Sequence, residues 1–220
     1  MYTIFTVAII AAYLLGSIPF GIIIARAYGK DLRSIGSGNI GATNVARALG
    51  RKWAYVCFLL DVLKGLVPML ITMFIVNRLS TETQREQAVF IWLWLPVGIA
   101  AILGHIFPLY LKFKGGKGVA TSLGAALGLW PYYTICALVA FGVWVVVVLI
   151  WRYVSLASIA ASITFPAVLF MAILLKTSWD FINLWPLLIA ATAIPLMVIL
   201  RHRENIKRII AGTESKVFKR

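Results

Sequence analysis

The residues best suited to chemistry lie in the segment IGSGNIGATNVARALGR, from Ile35 to Arg51. Glycine lets backbone N–H groups turn toward a ligand, and hydroxyl and amide side chains add further donors. A glycine-rich turn that leads into a helix is a ready anion site, and a guanidinium matches the shape of a phosphate. The alternative is a surface turn with a basic flank, since such turns are common. The residues concerned are Gly36, Ser37, Gly38, Asn39, Gly41, Thr43, Asn44, Arg47, Arg51 and Lys52.

Two other segments share this polar, basic, glycine-bearing character. One is KFKGGKG, from Lys112 to Gly118, and the other is the tail that opens with HRENIKRIIAGTE, from His202 to Glu214. In the tail, Asn205 and Ile206 follow His202 at helical spacings, which predicts an interfacial helix at its start. The three segments together indicate an anionic, phosphorylated ligand.

Composition predicts a membrane protein. Hydrophobic residues make up 62% of the chain and charged residues 13%, and the mean hydropathy is +0.95, whereas soluble domains carry roughly 25% charged residues. A net charge of +14 would suggest nucleic acid in a soluble protein, but in a membrane it indicates contact with anionic lipid and a cytoplasmic bias of basic loops. We therefore expect membrane lipids as partners and no nucleic acid. Two histidines and scattered carboxylates predict no metal site.

The apolar runs predict seven transmembrane helices. The run from Val119 to Ile150 holds 32 residues without a charge, and as one straight helix it would be about 48 Å long, against a hydrocarbon core of roughly 30 Å. Trp130 and Pro131 lie near its middle, and proline breaks helices, so we divide it into a short span and a full one. The predicted spans are Met1–Ala25, Trp53–Asn77, Val89–Leu111, Val119–Leu129, Tyr132–Ile150, Val154–Leu175 and Phe181–Leu200.

The distribution of basic residues predicts the orientation. With seven spans and the N-terminus outside, 17 of the 21 basic residues lie on the inner side. With six spans, Arg152 and the whole tail would change sides and the bias would largely vanish. We therefore expect an all-α integral membrane protein with the C-terminus cytoplasmic and with some spans short or broken, as at Gly16 and Pro19. We treat residues 1–220 as a single transmembrane catalytic domain whose three polar segments emerge on one face.

These segments also carry a family resemblance. GSGNIGATNVAR, then GHIFPLYLKFKGGKGVAT from Gly104 to Thr121, then HRENIKRIIAGTE, closely resemble three signature segments of the bacterial acyl-phosphate:glycerol-3-phosphate acyltransferases. DVLKG, from Asp61 to Gly65, and YVSLAS, from Tyr153 to Ser158, resemble that family too. The segments keep their order, and the resemblance covers nearly the whole chain.

The resemblance implies an enzyme, an acyl-phosphate:glycerol-3-phosphate O-acyltransferase of the cell inner membrane with its active site on the cytoplasmic face. A fatty acyl phosphate would give its acyl group to the 1-hydroxyl of glycerol 3-phosphate, forming 1-acylglycerol 3-phosphate (lysophosphatidate) and phosphate. This is the first step of phospholipid synthesis. We expect a monomer without a cofactor. Because an acyl phosphate is already activated, we expect substrate-assisted transfer without a covalent acyl-enzyme.

The resemblance also assigns site residues. The catalytic set is Ser37, Lys117, His202 and Asn205. The substrate-binding set is Gly36, Gly38, Asn39, Thr43, Asn44, Arg47, Lys64, Gly115, Gly116, Gly118, Thr121, Ser155 and Ser158.

Several of these residues have plainer alternative roles. Lys117 binds phosphate or is a solvated interfacial lysine, and His202 is a general base or only holds substrate. Asp61 is expected to form a structural ion pair with Lys64. Ser155 and Ser158 could equally be small residues at a helix interface. In the tail, Glu214 is expected to order the basic segment rather than to do chemistry.

Two other classes of protein fit part of the pattern. A multi-span basic protein with glycine-rich breaks can be an anion transporter, but such proteins carry internal repeats and polar groups at mid-membrane. The chain shows no internal repeat, and its polar segments are predicted at one face. A lipid-binding scaffold that catalyses nothing is the second alternative.

Overall fold

The computed structural model describes residues 2–79, 87–176, 179 and 181–217, and every regular element within these ranges is helical. Contacts divide the chain into two compact units, Met1–Gly128 and Leu129–Arg220. The predicted polar turn after the second span falls mainly on residues 80–86, outside the described residues. The helices are α1 (Tyr2–Gly16), α2 (Phe20–Ala27), α3 (Ala42–Leu49), α4 (Arg51–Leu79), α5 (Gln87–Ile106), α6 (Val119–Gly128), α7 (Tyr132–Trp151), α8 (Val154–Leu175), α9 (Phe181–Arg201) and α10 (Arg203–Ile210).

In the first unit, α4 packs against α1, α3, α5 and α6, and α1 also packs against α5. The first apolar run is broken as predicted, because α1 ends at Gly16 and α2 begins after Pro19. The break exposes the carbonyl of Ile18, which accepts a hydrogen bond from Lys64 Nζ at 2.9 Å. The polar segments of this unit lie in the connections before α3 and before α6.

Glycines bring α6 against α4. A Cβ built on Gly65 would overlap the backbone carbonyl of Thr121, and one on Gly124 would overlap the carbonyl of Val62. Small residues let helix backbones approach closely in membrane proteins. This packing fixes the position of α6, and with it the loop that precedes the helix.

In the second unit, α7 packs against α8, and α8 packs against α9. The turn between α7 and α8 has Arg152 in a left-handed conformation, with φ of 64°. α10 follows α9 with only His202 between them and contacts both α8 and α9. The last described residue, Val217, donates its N–H to the carbonyl of Arg152 at 2.9 Å, so the tail returns to the turn that starts α8.

Among the described residues, six helical segments are long and apolar enough to cross a membrane. α6 has the position predicted for the fourth span, but its ten residues cover only about 15 Å. Seven spans and the orientation therefore stay predictions. The six segments are Tyr2–Ala27, Arg51–Arg78, Trp92–Leu111, Tyr132–Trp151, Val154–Leu175 and Leu184–Arg201.

Candidate active site

The glycine-rich loop before α3 is held together by one buried amide. Asn44 is 1% exposed, and its Nδ2 donates to the carbonyls of Leu32 and Ile35, both at 2.9 Å. Its Oδ1 accepts the N–H of Ser37 at 3.1 Å. The side chain of Asn44 thus lies inside the loop, and its amide nitrogen and oxygen both form hydrogen bonds with the loop backbone.

The outer side of the same loop carries the groups that a ligand can reach. Gly36 and Gly38 have φ of 57° and 65°, in the left-handed region that glycine adopts with little strain. Arg47, on α3, is exposed, and its side chain lies against Gly36, since a Cβ built there would approach Arg47 Cδ at 2.9 Å. Ser37 is exposed beside it.

The remaining predicted residues of this loop shape its end. Asn39 accepts the N–H of Gly41 through its Oδ1 at 2.9 Å, a local turn that leads into α3. Thr43 is half-buried in the first turn of α3. The sequence prediction that a glycine-rich turn runs into a helix start is confirmed at Ala42.

The second glycine-rich loop connects the end of α5 with α6. Its Gly115 and Gly116 N–H groups donate to the carbonyls of Ile106 and His105, at 3.2 and 3.1 Å. Gly118 has φ of 91° and lies against Ile106. Lys117 is half-buried between these glycines, immediately before the free N–H groups expected at a helix start.

A side chain joins the two glycine-rich loops. Arg33 Nη2 donates to the carbonyl of Lys114 at 2.7 Å. The Arg33 N–H in turn donates to Asp31 Oδ1 at 3.0 Å, which fixes the turn from which the side chain leaves. The structure therefore brings two of the three predicted polar segments together within the first unit.

Buried charges lie behind the second loop. Asp61 Oδ1 is 2.8 Å from Lys64 Nζ and 3.7 Å from His105 Nδ1. All three side chains are at most 5% exposed, and the predicted ion pair between Asp61 and Lys64 is confirmed. Lys64, predicted to bind substrate, has its Nζ engaged by Asp61 and by the Ile18 carbonyl. Thr121 is fully buried in α6, and its Oγ1 has no hydrogen-bond partner among the described residues.

In the second unit, one carboxylate organises the tail. Glu214 Oε1 accepts hydrogen bonds from Ser155 Oγ at 2.8 Å and from Asn205 Nδ2 at 2.6 Å. Its Oε2 accepts Arg208 Nε at 2.7 Å. The tail therefore folds back on α8, which agrees with the predicted ordering role of Glu214.

The same contacts set the protonation of Glu214. Burial raises the pKa of the carboxyl, but the hydrogen bonds from Asn205, Arg208 and Ser155 and the charge of Arg208 outweigh burial, so the pKa lies below its ordinary value. The Glu214 carboxylate is thus charged at neutral pH and fixes the amide of Asn205, because a carboxylate can only accept.

His202 lies between α9 and α10 and is 3% exposed. Its Nδ1 is 2.8 Å from the carbonyl of Val198. Since a carbonyl only accepts, Nδ1 carries a proton, and in the neutral ring Nε2 is the acceptor nitrogen. Ser158 lies away from this arrangement, because its Oγ donates to the Val154 carbonyl at 2.8 Å within α8 and accepts from Trp144.

Sequence reasoning missed three supporting contacts. The bond from Arg33 to Lys114 has no local sequence signal, because it joins positions 81 residues apart. The packing of the His105 ring against Gly116 depends on how the loop between them folds back, which no short motif specifies. The partner of Asn205 could have been suspected, because Glu214 is the only acidic residue near the end of the basic tail.

Comparisons with known proteins agree on one family. The family model described as glycerol-3-phosphate acyltransferase matches residues 6–212. A glycerol-3-phosphate acyltransferase of Geotalea daltonii is 45% identical over 214 residues, 97% of each chain. One of Aquifex aeolicus is 44% identical over 210 residues, covering 94% of this chain and 96% of the relative.

Two crystal structures of PlsY (YgiH), an integral membrane glycerol 3-phosphate acyltransferase, resemble the whole chain. The glycerol 3-phosphate form has a TM-score of 0.80 and 44% identity, and it matches 98% of this chain and 96% of its own. The lysophosphatidic acid form has a TM-score of 0.77 and 43% identity, with 96% and 94% covered.

Proposed function

The chain belongs to the glycerol-3-phosphate acyltransferase family, and on that premise we propose its donor, product and mechanism. A fatty acyl phosphate is the donor, the 1-hydroxyl of glycerol 3-phosphate is the acceptor, and 1-acylglycerol 3-phosphate and inorganic phosphate are the products. Family membership makes the chain an acyltransferase of phospholipid synthesis. The glycerol 3-phosphate and lysophosphatidic acid forms of the solved relative support the acceptor and the product.

The observation that carries the proposal is the pairing of two glycine-rich, basic loops through Arg33 and Lys114. Both substrates carry a phosphate, so the site must neutralise several negative charges. Arg47 on α3, beside the first loop, and Lys117 on the second loop supply positive charge, and the N-terminus of α6 adds backbone donors. These groups suit two phosphorylated substrates.

Not every predicted binding residue need touch substrate in this proposal. Asn44 holds the first loop in shape, because its amide atoms are engaged inside that loop. Gly115 and Gly116 allow the second loop to lie close to α5, because their N–H groups are used there. We assign phosphate contact to Lys117, Arg47, Ser37 and Asn39.

Transfer proceeds in one step. The 1-hydroxyl oxygen of glycerol 3-phosphate attacks the acyl carbonyl carbon, the bond from that carbon to the phosphate oxygen breaks, and the hydroxyl proton passes to the departing phosphate. Phosphate is a good leaving group, so no covalent acyl-enzyme is needed. The protein contributes positioning and stabilises the developing oxyanion.

The tail is proposed to hold the acceptor. Asn205 and His202 bind glycerol 3-phosphate, with Asn205 oriented by Glu214 and His202 by the Val198 carbonyl. Ser155 serves this arrangement through Glu214. In the alternative mechanism, His202 Nε2 takes the hydroxyl proton as a general base.

We further propose seven spans, with α6 as a short fourth span, the N-terminus outside, and the site on the cytoplasmic face of the inner membrane. The distribution of basic residues supports this orientation. The protein acts as a monomer, and the acyl chain enters sideways from the bilayer.

An assay in detergent separates the enzyme from the two alternatives. Purified protein is mixed with acyl phosphate and labelled glycerol 3-phosphate, and lysophosphatidate is measured. Micelles have no compartments, so a transporter gives no signal, and a scaffold gives binding without product. The proposal expects product that grows with time and with protein concentration. Binding of both substrates without turnover in any lipid or detergent would refute it.

A further inference from the structure

His105 lies where the second glycine-rich loop rests on α5. It is 5% exposed near the end of that helix. Its backbone carbonyl accepts the N–H of Gly116 at 3.1 Å, and a Cβ built on Gly116 would overlap the imidazole ring at Nε2. The ring is therefore the surface on which Gly116 lies, one residue before Lys117.

The other side of the ring faces α4. Asp61 Oδ1 lies 3.7 Å from His105 Nδ1, on the side of the ring opposite to the nitrogen that meets Gly116. Asp61 is fixed in turn by Lys64, whose Nζ also donates to the Ile18 carbonyl. A continuous set of buried contacts thus runs from the break after α1, through α4, to the loop.

We propose that His105 is a positioning residue for Lys117: its ring, buried between Asp61 and Gly116, sets how far the Gly115–Gly118 loop stands from α5. The proposal rests on the phosphate-binding role given to Lys117 above. It adds to the site a residue that belongs to neither the predicted catalytic set nor the predicted binding set.

The geometry indicates how removal of the His105 ring should change the kinetics. A misplacement of about 1 Å in a binding group can lower the rate about 10²-fold. Since the loop holds a phosphate before and during transfer, its displacement weakens binding in both states, which raises KM more than it lowers kcat. A purely structural role of His105 would instead reduce the amount of folded enzyme, and neither KM would change.

Two adjacent glycines provide a matched test. The Gly116→Ala methyl group would meet the His105 ring, a side chain that can be removed. The Gly115→Ala methyl group would meet the carbonyls of His105 and Ile106 and the ring of Pro108, none of which depends on the His105 side chain. His105→Ala should therefore make room for Gly116→Ala but not for Gly115→Ala.

The experiment measures kcat and both KM values for His105→Ala, Gly116→Ala, Gly115→Ala and the two double variants that contain His105→Ala. We expect each single variant to lose about 10²-fold in kcat/KM, mainly through the KM of one phosphorylated substrate. The kcat/KM of the His105→Ala/Gly116→Ala enzyme should be no lower than that of the less active single variant. In the His105→Ala/Gly115→Ala enzyme, the two fold-losses in kcat/KM should multiply. Gly142→Ala, whose added methyl group meets no atom within 4 Å, should retain wild-type values.

Multiplying losses for His105→Ala and Gly116→Ala would overturn the proposal, as would unchanged KM values in a folded His105→Ala enzyme. If His105→Ala does not fold, His105→Asn replaces it, because that side chain is also shorter than the ring while remaining polar toward Asp61. Wild-type turnover is measured first. Its absence refutes the proposed function, whereas turnover with multiplying losses refutes only the role of His105.

Discussion

Among single substitutions, we expect the replacement of Lys117 to reduce activity most directly. It is half-buried between glycines that pack against α5, and in the proposed function it binds phosphate as a point charge. We expect Lys117→Ala to lower kcat/KM by at least about 10²–10³-fold, as for the loss of one preorganised group that stabilises charge. Initial rates with both substrates measure the effect, and thermal unfolding shows whether the protein remains folded.

Lys114→Ala is the matched control for Lys117. Lys114 is three residues away in the same loop, its side chain is exposed, and its contact with Arg33 uses only the backbone carbonyl. We expect the Lys114 variant to keep most of its activity. Equal losses in the two variants would mean that general positive charge, rather than a positioned lysine, supports the reaction.

His202 distinguishes two mechanisms. If the acyl phosphate takes the proton, His202 only holds substrate, and His202→Gln should keep substantial kcat with a raised KM for glycerol 3-phosphate. If His202 is the obligatory base, the variant should lose about 10²–10⁴-fold in kcat. The acidic limb of the rate profile should then vanish as well, because the group that must be unprotonated to accept the proton has been removed. We expect the first outcome.

The measurement for His202 is kcat of His202→Gln at saturating glycerol 3-phosphate, across about pH 5.5–8.5, where histidine side chains in general change charge. A loss of about three decades in kcat, with KM unchanged and the protein folded, lies within the range for a lost general base and would show that substrate assistance is wrong.

At the scale of elements, Glu214 holds the tail against α8. Replacing it by glutamine removes the charge and gives Arg208 and Asn205 a weaker or misdirected partner. An unsatisfied buried donor costs about 1–3 kcal/mol, and the partly exposed Arg208 lies at the low end of such effects. We therefore expect Glu214→Gln to loosen residues 203–217, measured as faster proteolysis of the tail while α7–α9 stay protected.

The acid dependence of the tail follows from the same carboxylate. The pKa of Glu214 lies below its ordinary value, so its stabilising contribution is complete above pH ~4.3 and is lost as the pH falls through the lowered pKa. We expect tail proteolysis in the wild type to accelerate on that acidic side. The rate for Glu214→Gln should already be high at neutral pH and should change less on acidification. Equal pH dependence in the two proteins would contradict this assignment.

Apolar runs and helix breakers predicted most elements correctly. Pro131 and its aromatic neighbours predicted the break between α6 and α7, and the observed helices end at Gly128 and begin at Tyr132. The span predicted at Val154–Leu175 matches α8 in full. These boundaries are local, because proline removes an N–H donor and the chain must turn wherever the apolar run ends.

Contacts between separate segments could not be predicted in the same way. Glu214 meets Ser155, which lies 59 positions earlier in the chain. The partners of Asn44, Gly115 and Gly116 lie 7 to 12 positions away, which is beyond the reach of a local sequence pattern. The family resemblance identified polar residues of interest. The resemblance did not distinguish the polar residues that hold a loop in shape from the polar residues whose side chains a ligand can reach.

At the scale of the whole molecule, the number of spans decides the topology. Seven spans place the two termini on opposite sides of the membrane, and six place them on the same side. We expect Thr3→Cys to react with an impermeant maleimide in intact cells and Lys216→Cys to react only after the membrane is opened. Both positions are exposed, whereas the native Cys57 and Cys136 are buried, so the unmodified chain is a suitable background control. Labelling of both variants from outside would contradict seven spans.

Direct transfer is tested by the stoichiometry of a single turnover by the purified enzyme, with label in the acyl group and in the phosphate of the donor. Direct transfer predicts one inorganic phosphate released for each lysophosphatidate formed, release that requires glycerol 3-phosphate, and no acyl label on the protein at any time. A burst of phosphate before glycerol 3-phosphate is added, with acyl label retained on the denatured protein, would contradict direct transfer.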